Sequence, residues 1–527
     1  MTQILDKKSA GVLMPMFAMR STRDWGVGDF SSLQNWVNYF ASTGTGVVQI
    51  LPINEMAPGQ NCPYNALTSF AIDPVYIAVH EVEDVQNCQA AQDFIISIQP
   101  LIDLWHKSDR VFYVTIRDAK LKTLWQAFNY FLKEHVQKNT PRAEKFKNYQ
   151  ERSAHWLDNY ALFRALKDYF KWQTWTQWPD GLKNREPQAI KEFTDKYTVN
   201  ILFYKYMQWI CDEQIKTVTQ LSAQNNVKIF GDIPFGINLD SADVWAERDN
   251  FNPALEVGAP PDQFSTEGQR WGLPEYDWVK MYENNFNYWR RKVTRACELY
   301  DIFRLDHLVG FFRTFVYDSP ESRGFFDWIG DDAQRKRGHD FLTIVKSLSN
   351  NKQPVGEDLG VIPNFTREVM TELQIPGYKI MRWEREDDGY YREPKNYPQI
   401  SVAALSTHDT ETLRDWWETM PLEERSNIWE MISTQKTNGL VPFTPEVQEI
   451  VLRRILNSGS AIVMLSVQDI AGTVDRINVP GLVSEQNWSF RFKSTPETIE
   501  QDYPAEMSVY KRLLLETNRS TNPLNNQ

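Results

Sequence analysis

The stretch that decides the fold lies at residues 301–307 and reads Asp301-Ile302-Phe303-Arg304-Leu305-Asp306-His307. Its apolar residues favour a β-strand, whereas Arg304, Asp306 and His307 are costly to bury unless they pair or take part in chemistry. An apolar strand that ends in an acid, a base and a cation is typical of the active-site rim of a parallel (β/α)8 barrel. A structural salt bridge between Arg304 and Asp306 at a sheet edge would explain this stretch equally well.

Six successive strand candidates share this pattern, because each is followed by charged or polar residues. They are 227–232 with Asp232, 300–305 with Asp306, 353–356 with Glu357, 378–381 with Arg382, 401–405 with His408 and Asp409, and 461–465 with Gln468 and Asp469. A further buried strand is expected at 46–52, and helical patterns separate most of these strands. In a (β/α)8 barrel with inserted, largely helical subdomains, all these strand ends would meet on one rim. An open doubly wound sheet would gather them too, but no glycine-rich nucleotide motif follows a strand.

Two interruptions of the barrel pattern predict insertions. From about 83 to 223 long helical patterns dominate, at Ala119–Gln137, Trp156–Trp172 and Pro187–Asn225. Short strands are expected at Val75–Val79 and Arg110–Thr115, and a lid-bearing insertion at about 247–290. We therefore expect residues 1–516 to form a single catalytic barrel with insertions, followed by a polar, disordered tail at 517–527.

Charge and composition exclude several classes of protein. The net charge of −12 and the isoelectric point of about 5.3 disfavour nucleic acid and anionic membranes as partners. We find no apolar run long enough to span a membrane and no secretion signal. The four cysteines are far apart, which indicates reduced thiols in a cytoplasmic protein and neither a disulfide framework nor a zinc site. The aromatic fraction of 13% fits stacking surfaces for sugars, or simply a Trp-rich core.

Three carboxylates, Asp306, Glu357 and Asp409, follow three different strands and lack a metal-binding motif. Such a set suits glycosyl chemistry, in which one carboxylate attacks the anomeric carbon, a second protonates the leaving oxygen and a third holds sugar hydroxyls. Arg304 lies on the same strand face as Asp306 and would keep it ionised, while His307 and His408 could donate to hydroxyls.

Each of these residues also has a structural explanation. Asp232 could form a turn before Ile233-Pro234, Glu357 could cap a helix, and His408 could be a satisfied core histidine. A Mg²⁺ site built from the same carboxylates is a second alternative, but such sites usually accompany phosphate substrates and no phosphate-binding loop is visible. The joint appearance of these residues at strand ends favours a shared active site.

A set of motifs, in this order and at these intervals, carries a specific resemblance. The motifs are Gln49-Ile50-Leu51-Pro52, Pro63-Tyr64, Gly231-Asp232-Ile233-Pro234, Asp240-Ser241-Ala242-Asp243-Val244-Trp245, Gly258-Ala259-Pro260-Pro261-Asp262, Gly268-Gln269-Arg270-Trp271-Gly272, Arg304-Leu305-Asp306-His307, Gly356-Glu357-Asp358-Leu359-Gly360, Thr407-His408-Asp409 and Asn487-Trp488. From Gly11 to about Arg491 the chain resembles the 4-α-glucanotransferases of glycoside hydrolase family 77, also called amylomaltases or disproportionating enzymes.

This resemblance implies a retaining transferase that moves an α-1,4-glucan segment to the 4-hydroxyl of an acceptor without a metal or organic cofactor. By resemblance, Asp306 is the nucleophile, Glu357 the general acid/base and Asp409 the stabilising third carboxylate. The positions expected to bind the donor are Tyr64, Asp232, Trp271, Arg304, His307 and His408. The implied partners are maltooligosaccharides, glucose and other α-1,4-glucans, and the alternative is a hydrolase of the α-amylase type. Retention predicts roughly 5–5.5 Å between the Asp306 and Glu357 carboxyls.

The sequence departs from the commonest family pattern near the motifs. Cys62, Asp73, Gln263 and Thr410 replace the more usual residues, and the run after His307 is also atypical. The stretch 258–273, with two prolines, Phe264 and Trp271, is expected to form a lid that favours transfer over hydrolysis. The departures leave the three carboxylates intact. They are expected to affect the length of glucan that the protein prefers and the lid over the cleft.

Overall fold

Eight parallel strands close into a barrel in the computed structural model, which describes residues 3–261, 267–433, 441–482 and 484–522. The strands of the described chain are β1 (Ser9–Leu13), β2 (Val47–Gln49), β3 (Lys228–Ile233), β4 (Phe251–Ala259), β5 (Gln269–Tyr276), β6 (Ile302–Leu305), β7 (Phe315–Tyr317), β8 (Phe325–Phe326), β9 (Gln353–Gly356), β10 (Gly377–Ile380), β11 (Ser401–Ala404) and β12 (Ile462–Ser466). The barrel order is β1-β12-β11-β10-β9-β6-β3-β2. The predicted (β/α)8 barrel is therefore confirmed.

Alternation along the barrel strands separates an inner core from an outer one. In β6, Ile302 belongs to the apolar cluster inside the barrel, whereas Phe303 and Leu305 pack in the larger cluster outside it. Successive side chains of a strand point to opposite faces, so Arg304 points inward with Ile302. The side chain of Arg304 therefore enters the barrel at the C-terminal end of β6, next to Asp232, which pairs with it in register on β3.

The sequence predicts seven of the eight barrel strands and misses β1. This strand is short and its residues, Ser-Ala-Gly-Val-Leu, are mostly small, so the sequence favours a strand only weakly there. In the structure, β1 pairs with both β12 and β2. Two other strand predictions are wrong. Val75–Val79 follows Asp73-Pro74, which starts a 3₁₀ turn at Pro74–Tyr76. In Arg110–Thr115 the helix already begins at Tyr113, and Arg110 makes an isolated bridge with Phe490.

Helices fill the long connection between β2 and β3. They are α2 (Glu83–Gln86), α3 (Gln89–Ser97), α4 (Gln99–Lys107), α5 (Tyr113–Phe131), α6 (Pro141–Tyr169), α7 (Asp180–Lys183), α8 (Pro187–Lys196) and α9 (Thr198–Gln224), preceded by α1 (Phe30–Thr43) between β1 and β2. The predicted helix Pro187–Asn225 is thus two helices that meet at Tyr197. Helix α9 packs against both α6 and α1, so it links the helical region to the barrel wall.

The remaining helices mostly separate successive barrel strands. They are α10 (Ala242–Ala246), α11 (Trp278–Glu283), α12 (Asn287–Leu299), α13 (Asp331–Ser349), α14 (Asn364–Glu372), α15 (Leu413–Thr419), α16 (Leu422–Ser433), α17 (Pro445–Leu456), α18 (Val467–Ala471), α19 (Ile499–Asp502) and α20 (Pro504–Glu516). The predicted helix Leu413–Thr434 is divided before Pro421, and Thr434 lies outside the described residues. Between β10 and β11 the described chain forms a 3₁₀ turn at Pro394–Asn396.

A small antiparallel sheet lies outside the barrel in the order β5-β4-β7-β8. Strands β4 and β5 form an irregular ribbon whose register shifts twice. Trp271 lies on β5, and its indole ring contacts the ring of His307 at 4.8 Å between centroids. The ribbon therefore reaches the C-terminal rim of the barrel. Gln263 and Phe264, which belong to the predicted lid, lie outside the described residues.

The segment expected to be a disordered tail is packed as far as the structure describes it. Arg519 is fully buried, and its guanidinium donates to the carbonyls of Ser9, Ala461 and Ser460 at 3.1, 3.2 and 2.8 Å. Further along, Thr521 N–H donates to the carbonyl of Gly44. The polar composition of residues 517–522 was misleading because one arginine satisfies many backbone carbonyls. Across the described chain, no helix has the length and apolarity needed to cross a bilayer.

Candidate active site

Arg304 is the hub of a cluster of ionisable groups at the C-terminal rim. Its Nη1 donates to Asp232 at 2.9 Å and lies 2.8 Å from Asp306 Oδ1, while its Nη2 lies 3.2 Å from Glu357 Oε2. The hydroxyl of Tyr64 donates a hydrogen bond to Asp232 at 2.8 Å. The salt bridge between Arg304 and Asp306 considered from the sequence exists, but it is one contact of a larger network. One guanidinium therefore orients three carboxylates that come from three adjacent strands.

Glu357 is held where it can keep a proton near neutral pH. Burial raises the pKa of Glu357 to about 7, and the charge of Asp306 acts in the same direction while Arg304 opposes it. The backbone N–H of His307 donates to Glu357 Oε2 at 2.6 Å and fixes the carboxyl in place. A carboxyl with this pKa can give a proton in one step and take one in the next.

Asp306 is held at both oxygens. Oδ1 contacts Arg304, and Oδ2 accepts a hydrogen bond from the backbone N–H of Phe235 at 3.1 Å. Its side chain is 21% exposed and is oriented by two donors. A carboxylate held in this way suits the role of a nucleophile, because its charge is stabilised and its orientation is fixed.

Asp409 stays ionised over a wide pH range. Burial would raise its pKa, but the charge and hydrogen bond of His408 and the amide of Asn478 outweigh burial and lower the pKa to about 2. The His408 ring nitrogen lies 3.3 Å from Asp409 Oδ2, and Asn478 donates to Oδ1 at 2.7 Å. Asp409 and Glu357 therefore differ in protonation at neutral pH although both are carboxyl groups in one cleft.

Aromatic rings connect the two sides of the cleft. Tyr64 stacks on His408 with 5.4 Å between centroids and 16° between planes, and Trp488 packs against both rings. Because Tyr64 also donates to Asp232, this stack ties the Arg304 cluster to the His408–Asp409 pair. The pocket between them is lined by Arg304, Glu357, His408 and Asp409 together with Gln49 and Tyr378.

His307 has a left-handed backbone conformation, with φ 47° and ψ 55°. Such a conformation is unfavourable for a non-glycine residue, and here it accompanies the hydrogen bond from His307 N–H to Glu357. Burial lowers the pKa of the His307 imidazole to about 4, so the ring is neutral at neutral pH. The ring is flanked by Phe235 and Trp271. All nine site residues predicted from the sequence thus lie in one connected region at the rim.

Asp469, considered as a further rim carboxylate, is buried beside the pocket, where its partner Ser406 is a lining residue. It accepts hydrogen bonds from Ser406 Oγ and from the backbone N–H of Leu413, and it lies in the first turn of α18. The negative charge there is satisfied by a hydroxyl and a helix N-terminus, so its role is structural. Asp469 thus lies directly after the C-terminal end of β12, as the sequence indicates, and its hydrogen bonds hold neighbouring rim segments.

The departures from the family pattern have different local roles. Asp73 caps the 3₁₀ turn at Pro74–Tyr76 and forms a buried ion pair with Arg117 of α5. Thr410 accepts a hydrogen bond from Thr407 N–H in the loop that carries Asp409. Burial raises the pKa of the Cys62 thiol to about 11, so it stays protonated beside the cleft. Gln263 lies outside the described residues.

Sequence reasoning missed Asn478 and the lining residue Tyr378. Asn478 lies in a loop and is brought to Asp409 only by the tertiary structure, so no local pattern indicates it. Tyr378 lies on β10, where the sequence signals a strand without identifying its inward-facing residue. Among the described residues, no group of three or more histidine, cysteine, aspartate or glutamate side chains has a geometry that could hold a metal ion.

Comparisons with known proteins show which family the chain belongs to. The family model described as 4-alpha-glucanotransferase, of glycoside hydrolase family 77, matches residues 14–496. The chain belongs to this family. The 4-alpha-glucanotransferase of Chlamydia pneumoniae is 30% identical over 517 residues, which cover 95% of this chain and 93% of that protein. The chloroplastic/amyloplastic 4-alpha-glucanotransferase of Solanum tuberosum is 27% identical and covers 96% of this chain, with 87% of its own length matched.

Solved structures of two amylomaltases agree with this chain at the level of the fold. The amylomaltase from Streptococcus agalactiae in complex with acarbose superposes with a TM-score of 0.83 at 23% identity, covering 98% of this chain and 100% of that one. The amylomaltase from Corynebacterium glutamicum gives a TM-score of 0.82 at 21% identity, covering 97% of this chain and 76% of that one. Membership of the 4-α-glucanotransferase family rests on the sequence match, and these superpositions support the barrel architecture.

Proposed function

We propose that the protein is a retaining 4-α-glucanotransferase that works through a covalent glucosyl-enzyme on Asp306. The observation that carries this proposal is the shared guanidinium of Arg304, which holds Asp306 and Glu357 side by side on adjacent strands. Nucleophile and acid must flank the same glycosidic bond in a retaining mechanism. Family membership supplies the transfer activity, and the geometry supports the assignment of roles.

In the first half-reaction an Asp306 oxygen attacks the anomeric carbon of the donor glucan. The bond from that carbon to the 4-oxygen of the leaving segment breaks, and the proton of Glu357 goes to this oxygen. The pKa of about 7 for Glu357 keeps a large protonated fraction at neutral pH. Asp409, ionised through its contacts with His408 and Asn478, would bind hydroxyls of the sugar and stabilise positive charge at the ring.

In the second half-reaction the 4-hydroxyl of an acceptor attacks the same carbon. Glu357, now a carboxylate, takes the hydroxyl proton, and the ester bond to Asp306 breaks with its electron pair returning to the carboxylate. Glucose or another α-1,4-glucan is the acceptor, which makes the overall reaction a transfer with retained configuration. Tyr64, Asp232, Trp271, Arg304, His307 and His408 would position the donor around this bond.

The proposed substrates are maltooligosaccharides and other neutral α-1,4-glucans. A cleft edged by Tyr64, Trp271 and Trp488 offers flat rings beside ionisable hydrogen-bonding groups, which suits sugar rings. We place the reaction in the cytoplasm, because the four cysteines are free thiols.

A time course with maltotriose tests the proposal. Transfer predicts early glucose together with chains longer than maltotriose, because each cleavage hands a segment to another glucan. Glucose and maltose alone would indicate hydrolysis of the α-amylase type and would overturn the transferase assignment. The Asp306→Asn variant is the matched control, since it replaces the nucleophile with an isosteric neutral group and should give neither pattern.

A further inference from the structure

A buried lysine is separated from Asp306 by one peptide group. Lys292, on α12, is 3% exposed, and its Nζ donates to the carbonyl of Pro234 at 2.7 Å. The same peptide group continues to Phe235, whose N–H donates to Asp306 Oδ2 at 3.1 Å. One peptide unit therefore joins an ammonium to the carboxylate expected to act as nucleophile.

The Pro234–Phe235 segment has further contacts that keep this geometry in place. The hydroxyl of Tyr276 donates to the carbonyl of Phe235 at 2.6 Å, and the ring of Phe235 packs against His307 and Phe311. The segment is thus held by hydrogen bonds at two carbonyls and one N–H and by ring contacts. In a rigid segment, the positive charge of Lys292 can polarise the peptide group that bonds to Asp306 without a change in backbone conformation.

The charge of Lys292 is costly to bury and has few direct partners of opposite charge. Burial lowers its pKa to about 7, against the opposing influence of Asp243 on α10 and Asp306 after β6. Asp243 is itself bonded to Tyr288 and to the backbone N–H of Ser69. The ammonium also lies 4.3 Å from the ring centroid of Trp289.

We propose that Lys292 is a positioning residue that stabilises the Asp306 carboxylate through the Pro234–Phe235 peptide group. This inference rests on the proposed function, because it concerns the nucleophile of that reaction. An ammonium at the carbonyl polarises the peptide and makes its N–H a stronger donor. The Asp306 carboxylate, with its charge lowered in energy, is then a better leaving group in the second half-reaction.

The two half-reactions respond to Lys292 in opposite directions. In the first, Asp306 loses its charge as it forms the ester, so stabilisation of that charge by the ammonium opposes this step. In the second, the bond between the anomeric carbon and the Asp306 oxygen breaks and the carboxylate regains its charge, while the acceptor proton moves to Glu357. Loss of the ammonium should therefore slow breakdown of the glucosyl-enzyme relative to its formation.

The test measures both steps with α-maltosyl fluoride, whose leaving group needs little protonation. Adduct formation is followed by intact-protein mass spectrometry in single turnover with enzyme in excess, and adduct breakdown is followed after adding glucose. In Lys292→Met we expect the ratio of breakdown rate to formation rate to fall about tenfold. Lys292→Arg, which retains a charged donor, should stay within about threefold of the wild type.

Lys120→Met is the matched control. Lys120 is 1% exposed, and its Nζ donates to the carbonyls of Val75 and Ile77, so it too is a buried ammonium on backbone carbonyls. Its replacement should lower stability without changing the ratio of the two rates. An equal fall of both rates in Lys292→Met, or the same ratio as in the wild type, would overturn the inference.

Two further outcomes are separated by the same experiment. If Lys292→Met does not fold, Lys292→Gln keeps an uncharged donor, and its ratio should still fall at least about threefold. If folded Lys292→Gln has the same ratio of breakdown rate to formation rate as the wild type, the inference is also overturned. A wild type whose first product from α-maltosyl fluoride has the inverted anomeric configuration would overturn the proposed covalent mechanism, and the role of Lys292 with it.

Discussion

Two buried arginines at opposite ends of the barrel have different surroundings. Arg304 at the C-terminal end contacts Asp232, Asp306 and Glu357. Arg519 at the N-terminal end donates to backbone carbonyls, including those of Ser9 and Ala461 beside β1 and β12. The first lies among carboxylates that can change protonation, whereas the groups that accept hydrogen bonds from the second are neutral.

This difference separates chemistry from stability within one fold. In a (β/α)8 barrel the C-terminal rim carries the active site, while the opposite end contributes to stability. Arg519 donates hydrogen bonds where the first and last strands of the barrel pair. Arg304 holds three carboxylates together where the proposed reaction takes place. Substitutions at the two ends should therefore have different effects, on activity in one case and on unfolding in the other.

The largest effect is expected for Asp306→Asn at the C-terminal end. Loss of the nucleophile should lower kcat for maltotriose by at least about 10⁴-fold, the scale of nucleophile removal in other enzymes. The melting temperature should change little, because Arg304 retains Asp232 and Glu357. Thermal unfolding and product assays on the same preparation check both statements, and near-normal turnover would show that another group attacks the sugar.

Glu357→Gln should lower turnover of maltotriose roughly 10²- to 10⁴-fold, because the leaving oxygen is no longer protonated. With α-maltosyl fluoride the formation of the adduct should be affected far less, since fluoride leaves without an acid. The comparison of the two donors is the measurement. Equal losses with both donors would argue that Glu357 has a positioning role instead of transferring a proton.

Arg304→Met should lower activity roughly 10²- to 10³-fold, since three carboxylates lose their common donor. Arg304→Lys is the control, because it keeps the charge but cannot bridge Asp306 and Glu357 with two arms. Arg304 opposes the rise in the pKa of Glu357, so its loss should move the alkaline limb of the pH profile to higher pH. A limb that stays in place would contradict this electrostatic account.

For the wild type, kcat/KM for maltotriose should fall as pH rises through about 7. Glu357 must be protonated in the first half-reaction, and its pKa is raised to about 7, so each further pH unit removes about nine-tenths of the active form. Asp409, with its pKa near 2, stays ionised throughout this range. Flat activity to pH 9 would show that Glu357 is not the acid.

The smallest effect on activity is expected for Arg519→Met. This change removes one donor from several buried carbonyls, including those of Ser9 and Ser460, and should lower the free energy of unfolding by about 2–4 kcal/mol. Activity per folded molecule should stay within about twofold of the wild type. Denaturant unfolding and active-site titration together check this, and a large loss of kcat in folded protein would break the proposed separation between the two ends.

Most of the barrel could be predicted because its strands are short apolar runs followed by charge. The signal failed where that pattern was weak, as in β1, whose small residues gain their strand conformation from pairing with β12 and β2. It also failed for 517–522, where composition suggested disorder and Arg519 provides the packing. Local sequence cannot show a contact between Arg519 and Ser9, since these residues are 510 positions apart.

The candidate site was predictable for a related reason. Asp306, Glu357 and Asp409 follow strands, and a closed barrel brings strand ends together. Asp469 follows the same rule and still lies outside the network, because a hydroxyl and a helix N-terminus satisfy it. Asn478 and Lys292 could not be predicted, because their local sequence does not indicate a site residue. Only the tertiary structure places Asn478 against Asp409, and Lys292 against the peptide group that bonds to Asp306.

The central claim is that Asp306 carries the sugar during transfer. Its most direct test is to mix the protein with α-maltosyl fluoride, quench it rapidly in acid and map the modified peptide by mass spectrometry. The account predicts one adduct, located on Asp306 and released when glucose is added before the quench. An adduct on Glu357 or Asp409, or a first product with inverted anomeric configuration, would contradict it.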